Sequence, residues 1–564
     1  MIIGLDVGGT HTDVVLVGEN GLKRHAKIPT DTAALFETVL AGLEKITENI
    51  NIGDISHAVL STTLTTNAIV QNKLPPAGMI VSGGPGVNPE AFRTNQYYYI
   101  TSGSIDHSGR EIQPVDPDEI AAIAAKLKDQ GIRNVGVVGK FSTRNTAHET
   151  RIAEIIAPHF DNVFPGHKIS GHLNFPRRIH TTFLNASVYP LHKTFFEAVK
   201  TSLEHKGITI PIYVLKADGG TMAFAASIDF PGQTVLSGPS ASVMGSLAFA
   251  PEKAETIVMD IGGTTTDMAV LIDRVPLLAP QGIELGRYKT LIRALHSYSI
   301  GLGGDSVIRL DGKEITIGPE RNGPAMAYGG PTPTPTDALF VLGRVTGGDR
   351  EKSAKGIQPI ADALGLNLEQ AAEAVFDRTC RQIMAAARHM IEEINRKPVY
   401  TIKELLKGHQ VKPTNILVLG GPAGHFVERL ADISGLPVAT VPAWSVANAV
   451  GTALSRATCE VSLFADTQKG FIMAPEESFS QPVKVNFTSQ EALQIGYQLL
   501  RQKALKIGAD MDSLEMDVLE ELEFNMVRGF RMTGKNIRIK LQVKPGLIRN
   551  YKTITDKIAA GAAI

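Results

Sequence analysis

Apolar residues along the chain fall in short runs separated by turn residues, and the spacing alternates between strand and helix periods. Ile2–Leu5 and Val14–Val17 flank a Gly-Gly turn and predict a hairpin. Ala33–Ile50 reads as an amphipathic helix, and His57–Ser61 and Gly78–Ser82 read as strands. Apolar positions Ile120, Ile123, Ala124 and Leu127 predict a helix over Pro117–Gln130, followed by a buried strand at Val135–Val138 and a helix at Ala147–Ile156. The same grammar returns between residues 171 and 458, with strands at Ile212–Lys216, Thr256–Met259 and Ile416–Leu419 and a long helix at Leu368–Ile394. Alternation of this kind defines an α/β protein. Glycine and proline crowd residues 318–348, including Pro331-Thr332-Pro333-Thr334-Pro335, as either an ordered loop or a mobile lid. Beyond 459 a helix at Gln490–Ile507 and strand-like runs at Leu514–Val518 and Ile537–Val543 predict a small α+β appendage.

The 564 residues suffice for roughly two to four domains. Apolar residues make up 43% and charged residues 20%, and the formal net charge is −1. That balance points neither to nucleic acid nor to a solvating acidic role. Cys380 and Cys459 are expected to be buried free thiols in a reducing cytoplasm. The start Met1-Ile2-Ile3-Gly4-Leu5-Asp6 lacks the basic region of a signal peptide, and no apolar run approaches the length of about 18 residues that a membrane span requires.

The most informative feature occurs twice. Asp6-Val7-Gly8-Gly9-Thr10-His11-Thr12-Asp13 recurs as Asp260-Ile261-Gly262-Gly263-Thr264-Thr265-Thr266-Asp267, identical at six of eight positions. Paired glycines bring backbone N–H groups against a phosphate with no Cβ between. Threonine hydroxyls add donors. Carboxylates repel phosphate and so serve by holding Mg²⁺ or its waters. Two such hairpins facing each other would grip a triphosphate from both sides. The sequence contains no G-x-x-x-x-G-K-[ST] loop, so an ATP site here would not be a P-loop.

This duplicated motif resembles the two phosphate motifs of the actin/sugar-kinase/heat-shock-chaperone superfamily. Ile416-Leu417-Val418-Leu419-Gly420-Gly421-Pro422-Ala423-Gly424-His425 is similar to that superfamily's adenosine motif. Small-residue segments Ser237–Gly245 and Val446–Gly451 resemble its two connecting helices. The finer resemblance is to the A-type subunits of the hydantoinase/oxoprolinase family, carried by Asp6–Asp13, by Ser61-Thr62-Thr63-Leu64-Thr65-Thr66-Asn67-Ala68, by Gly301–Ser306, and by Gly318-Pro319, Thr336-Asp337-Ala338 and Leu342-Gly343-Arg344. It covers residues 1–458. His11 stands where the family usually has an aromatic residue, and Asn322–Gly329 lacks the family's cysteine.

The resemblance implies two duplicated actin/ribonuclease-H-like domains around an ATP cleft, divided as 1–170, 171–458 and a C-terminal region 459–564. It implies nucleotide contacts at Gly8, Gly9, Thr10, Thr12 and Asp13, at Gly262, Gly263, Thr264, Thr265 and Thr266, and at Gly303, Gly304, Gly420, Gly421 and Gly424. Asp6, Asp260 and Asp267 would position Mg²⁺, with Asp260 or Asp267 also steering the nucleophile. Candidate substrate contacts are Thr62, Thr63, Asn67, His296 and Asp305. Thr62, Thr63 and Asn67 either line the cleft or cap the following helix. His296 is either an acid–base or substrate-contact group or structural, His425 opens a helix after the glycine turn in a cap or packing role, and Asp218-Gly219-Gly220 is either a turn or a substrate contact. The implied activity is ATP-dependent opening of a cyclic amide (hydantoin, lactam or 5-oxoproline) by an oligomer with a separate B-type subunit. Alternatives are a subunit of an acetone- or acetophenone-type carboxylase, a small-molecule kinase, or an ATP-driven switch without catalysis.

Overall fold

Both copies of the motif fold as the tip of an antiparallel hairpin, because two glycines turn the chain between runs of β-branched and apolar residues. The computed structural model describes residues 1–31, 34–279, 281–396, 410–511 and 514–562. In the first hairpin, Ile2–Val7 pairs with His11–Gly18, and Asp6 stands opposite Asp13. In the second, Glu255–Ile261 pairs with Thr266–Ile272, and Asp260 stands opposite Asp267. Each first strand also runs parallel to a strand reached by a crossover, His57–Thr62 in one case and Asn415–Leu419 in the other. Ile2–Val7 is buried along its whole length, as expected of a strand covered on both faces.

The first sheet has six strands and is extended at one edge by Ile212–Leu215 and Thr221–Ala223. A separate parallel sheet joins Asn162–Pro165, Asn134–Gly139, Gly78–Ser82 and Tyr98–Thr101. The predicted helices form at Leu35–Thr47, Pro117–Asp129, Ala147–Ile156 and Leu368–Arg396; the predicted start at Ala33 lies outside the described residues. The helix Phe175–His205 was not predicted. It is buried on nearly every side and carries Pro190 in its interior, so neither an amphipathic period nor a proline-free run announces it.

Helices Ser237–Leu247 and Ala447–Leu454 cross between the two hairpin sheets at their small residues. A Cβ on Gly451 would lie 2.1 Å from the Gly245 nitrogen, and one on Gly245 would lie 2.3 Å from the Ala447 carbonyl oxygen. The crowded 318–348 segment is an ordered structure rather than a lid. Asp337 at the start of helix Pro335–Val341 is fully buried, and its carboxylate accepts bonds from the backbone of Met326, Ala327 and Thr334 and from Ser353 Oγ.

The C-terminal sheet is antiparallel, ordered Phe479–Pro482, Phe471–Ala474, Glu460–Asp466, Arg531–Val543 and Met516–Arg528, with helix Ser489–Lys506 packed on it. Its Leu463, Ile539 and Leu541 share one buried cluster with Ile3 and Leu5 of the first sheet and Leu43 of helix Leu35–Thr47. Cys380 and Cys459 are both buried and free. Among the described residues no helix is long and apolar enough to cross a membrane.

Candidate active site

The crossed helices bring the two hairpins together at their carboxylates. Asn448, on helix Ala447–Leu454, donates from Nδ2 to Asp260 Oδ2 at 3.0 Å, and its amide also lies beside Asp6. Ser242, on the other crossing helix, donates to Asp260 Oδ2 at 2.5 Å. Asp6, Asp13 and Asp260 lie within electrostatic reach of one another, and Asp267 within reach of Asp260. Burial first, then repulsion by Asp13, pushes Asp6 up to about 7. Burial likewise pushes Asp267 up to about 6, opposed by bonds from Ser299 and Thr265. Asp6 Oδ1 is buried with no hydrogen-bond partner among the described residues.

A set of buried, mutually repelling carboxylates with an orphaned oxygen is an environment that a cation would relieve. Among the described residues, no three His, Cys, Asp or Glu side chains are grouped closely enough to hold a metal ion by themselves. That suits Mg²⁺, which keeps waters and phosphate oxygens around one or two carboxylates.

The glycine pairs shape the tips. Gly8 N donates to His11 O at 3.0 Å and Gly262 N to Thr265 O at 2.9 Å, so the two turns close in the same way. Gly9, Thr10 and Thr264 are exposed at the tips, with Gly8, Gly263 and Thr265 half-buried. Thr12 and Thr266 are not available as phosphate donors. Each follows its turn by one strand position and points inward, Thr12 Oγ1 to Thr30 Oγ1 at 2.9 Å and Thr266 Oγ1 to Leu302 O at 2.7 Å.

The glycine loop after Ile300 lies directly on the second turn. Gly304 N donates to Gly262 O at 2.9 Å and Asp305 N to Gly263 O at 2.7 Å, and a Cβ on Gly303 would sit 2.5 Å from Gly262 O. Gly303 and Gly304 therefore serve close packing against the hairpin. The Asp305 carboxylate is paired with Arg321 at 3.2 Å, and both lie within electrostatic reach of His11 on the opposite tip. Asp305 thus faces the cleft. Gly420 has φ +99°, and a Cβ there would lie 2.3 Å from Ile261 O and 2.5 Å from Asp260 Oδ1. Gly421 faces open space. Gly424 and His425 stand at the wall of an open cleft of about 1380 Å³ with Trp444, Phe376 and Arg344.

Thr62 Oγ1 accepts from Leu64 N at 3.1 Å, a turn-forming role at the start of helix Leu64–Val70. Thr63 and Asn67 lie against the first tip. A Cβ on Gly9 would be 3.6 Å from Asn67 Nδ2, and Thr63 Oγ1 donates to Val7 O at 3.5 Å. His296 is not brought to the tips. Its backbone bonds to Leu277, its neighbour Ser297 pairs with Ala269, and the carboxylate that acts on it is Glu393 of the long helix. Asn448, Ser242, Lys27 and Arg321 were not singled out. Asn448 is the polar residue in a helix segment otherwise made of small and apolar ones, and Lys27 stands opposite Asp13 in register, 2.5 Å away, on strand Gly21–Pro29.

Duplicated hairpin sheets joined by crossing small-residue helices, with four carboxylates converging between them, define the actin/sugar-kinase class of fold. The chain belongs to the hydantoinase/oxoprolinase family: the family's sequence pattern matches residues 178–461 and its N-terminal region matches residues 2–160. It is 23% identical to the alpha subunit of caprolactamase from Pseudomonas jessenii over 78% of this chain and 68% of that protein. It is 25% identical to the acetophenone carboxylase gamma subunit of Aromatoleum aromaticum over 93% of this chain and 77% of that protein. The crystal structure of the ATP-dependent caprolactamase of Pseudomonas jessenii shares the fold, with a TM-score of 0.71 at 20% identity over 98% of this chain and 88% of that one.

Proposed function

We propose that the chain is the ATP-binding subunit of an enzyme that opens a cyclic amide, of hydantoin, lactam or 5-oxoproline type, through a phosphorylated intermediate. The observation that carries this reading is the convergence of Asp6, Asp13 and Asp260 from the two hairpin tips around Asn448. The likeness to the caprolactamase alpha subunit supports the choice of substrate class.

ATP would lie between the hairpin sheets, with its phosphates against the backbone of Gly8, Gly9, Gly262 and Gly263 and the hydroxyls of Thr10, Thr264 and Thr265. Mg²⁺ held by Asp6, Asp260 and Asp267, directly or through water, would offset the charge shared by nucleotide and carboxylates. The γ-phosphoryl group passes to the amide oxygen and ADP leaves, which removes the resonance that makes an amide a poor electrophile. Water adds to the activated carbon, the ring C–N bond breaks as the nitrogen takes a proton, and a second water hydrolyses the acyl phosphate to carboxylate and phosphate. Fixed N–H groups and positioning supply most of the rate. Asp305, with Thr63 and Asn67, would meet the substrate beside the tips. A separate B-type chain would complete the enzyme, within a cytoplasmic oligomer. Pairing of Ile212–Leu215 and Thr221–Ala223 with the first sheet supports units of 1–236, 237–458 and 459–564.

The match to the acetophenone carboxylase gamma subunit extends over 93% of this chain and favours a second reading, a carboxylase component that phosphorylates its substrates. ADP release should be measured with a hydantoin, a lactam, 5-oxoproline, and a ketone with bicarbonate, with and without a B-type partner chain. The proposal predicts turnover stimulated by one cyclic amide. Stimulation by ketone and bicarbonate alone would transfer the chain to the second reading, and turnover indifferent to every substrate would make it a switch.

A further inference from the structure

The C-terminal sheet ends on a strand whose outer side is open. Met516–Arg528 pairs with Arg531–Val543 along its length, and among the described residues no strand pairs with its other edge. Arg531–Val543 in turn pairs with Glu460–Asp466 only from Asn536 to Gln542, so the end of the ribbon stands out beyond the sheet. A long open edge is a template for another strand, and proteins ordinarily blunt it with repeated bulges, proline or inward charge. On this strand the one extra residue is Leu519, which leaves Glu520–Arg528 regular. Large apolar side chains stand in solvent along that stretch, Leu522 at 39% exposed and Phe524 at 53%.

Side chains alternate along a strand, so Glu520, Leu522, Phe524, Met526 and Arg528 share one face, and Glu521, Glu523, Asn525 and Val527 share the other. The first face therefore runs acid, three apolar residues, base. Turned end for end, this stripe is its own complement. With a two-fold axis through Phe524, an antiparallel second copy sets its Arg528 opposite Glu520, its Met526 opposite Leu522, and its Phe524 opposite Phe524. On the other face Glu523 meets Asn525 and Glu521 meets Val527, so no acid meets an acid. Moving the axis to Glu523 sets that acid against itself, and moving it to Leu522 sets Glu521 against Glu523 on both sides. Among the described residues neither Glu520 nor Arg528 makes an ion pair within the chain.

We propose that the chain self-associates through this edge as a symmetric dimer, with the two Glu520–Arg528 stretches antiparallel about Phe524 and the two five-stranded C-terminal sheets joined into one. Main-chain hydrogen bonds across the axis supply the attraction, the apolar positions cover one another, and the paired charges at both ends fix the register. The occupant is a second copy because the complementarity is to itself: a strand built to receive a foreign segment has no need of opposite charges placed evenly on either side of one aromatic residue. No residue of the nucleotide cleft takes part.

The test is sedimentation of the full chain, without nucleotide, from low to high micromolar concentration, where a monomer–dimer equilibrium is expected. Phe524→Lys places two like charges on the axis at a position already in solvent, and it should abolish the dimer while the far-ultraviolet circular dichroism is retained. Glu520→Arg and Arg528→Glu each oppose like charges at both ends and should each weaken the dimer by at least about tenfold. An equimolar mixture of those two variants restores opposite charges at both ends and should recover the dimer as a mixed pair. A chain that stays monomeric throughout, a dimer that survives Phe524→Lys, or folded charge variants whose mixture fails to associate overturns the proposal. With no nucleotide in the cell, either result leaves the reading of the hairpin cleft untouched.

Discussion

Gly420 and Gly421 are adjacent in sequence, and the structure gives them opposite tolerances. At Gly420 the backbone has φ +99°, where any side chain is strained. A Cβ there would stand 2.3 Å from the Ile261 carbonyl oxygen and 2.5 Å from Asp260 Oδ1. The first of these contacts is backbone inside the second hairpin and cannot swing aside. Gly420→Ala therefore combines a conformational strain of about 1–2 kcal/mol with an overpacking penalty of about 1–3 kcal/mol. At roughly 2–4 °C per kcal/mol for a unit of this size, the thermal midpoint should fall by about 4–20 °C. Relief of the clash displaces Asp260, so affinity for Mg-ATP should drop at least about tenfold, equivalent to about 1.4 kcal/mol. Gly421→Ala meets no atom within 4 Å and should leave both quantities within error of wild type. Differential scanning calorimetry and titration with Mg-ATP read the two effects separately. Equal behaviour of the two alanine variants would refute the packing of the adenosine turn against Asp260.

Three further outcomes are expected. Asp6 is an acid raised by burial from 3.8 to about 7, so the folded chain binds its proton more tightly than the unfolded one; stability is fullest in acid and declines as pH rises from about 4 through 7, by up to about 4 kcal/mol. Asp6→Asn should accordingly raise the nucleotide-free thermal midpoint at pH 8 much more than at pH 5 and abolish stabilisation by Mg-ATP. Asp337→Ala removes the acceptor of five donor groups and should destabilise by at least about 4 kcal/mol in denaturant titration. His296→Gln, remote from the tips, should leave substrate-stimulated ADP release within twofold of wild type.

The hairpins were legible because their meaning lies in contiguous residues: two glycines, flanking apolar strands and a carboxylate at each end. Elements set by local period, such as Ala147–Ile156 and Gly78–Ser82, were read to the residue. Phe175–His205 was not, because a helix buried on all sides loses its period and Pro190 argues against it. The roles of Thr12 and Thr266 were misread for a related reason. Composition says that a hydroxyl is present, while only the register, Val7 against Thr12 and Ile261 against Thr266, says that it points inward. Asn448 needed the tertiary fold, since it acts on carboxylates from both hairpins, whereas Asp305 was named from its glycine loop and only its facing of a tip nearly 300 positions earlier was hidden.

The duplicated architecture also contains an asymmetry that the matching motifs conceal. In each copy a neighbouring strand sets one residue opposite the second carboxylate of the hairpin. In the first copy that residue is Lys27, paired with Asp13 at 2.5 Å. In the second it is Ser299, opposite Asp267. Burial raises both acids, but only Asp13 has a cation built in to oppose it. A hydroxyl can orient Asp267 without neutralising it, which leaves that carboxylate near 6 and able to exchange a proton or a cation at physiological pH. Two hairpins of matching design thus carry an ion-paired acid on one side of the cleft and an acid faced by a hydroxyl on the other. It is the strand beside the motif, and not the motif itself, that distinguishes the two acids, and the proposed reading gives the catalytic role to the second hairpin on that difference.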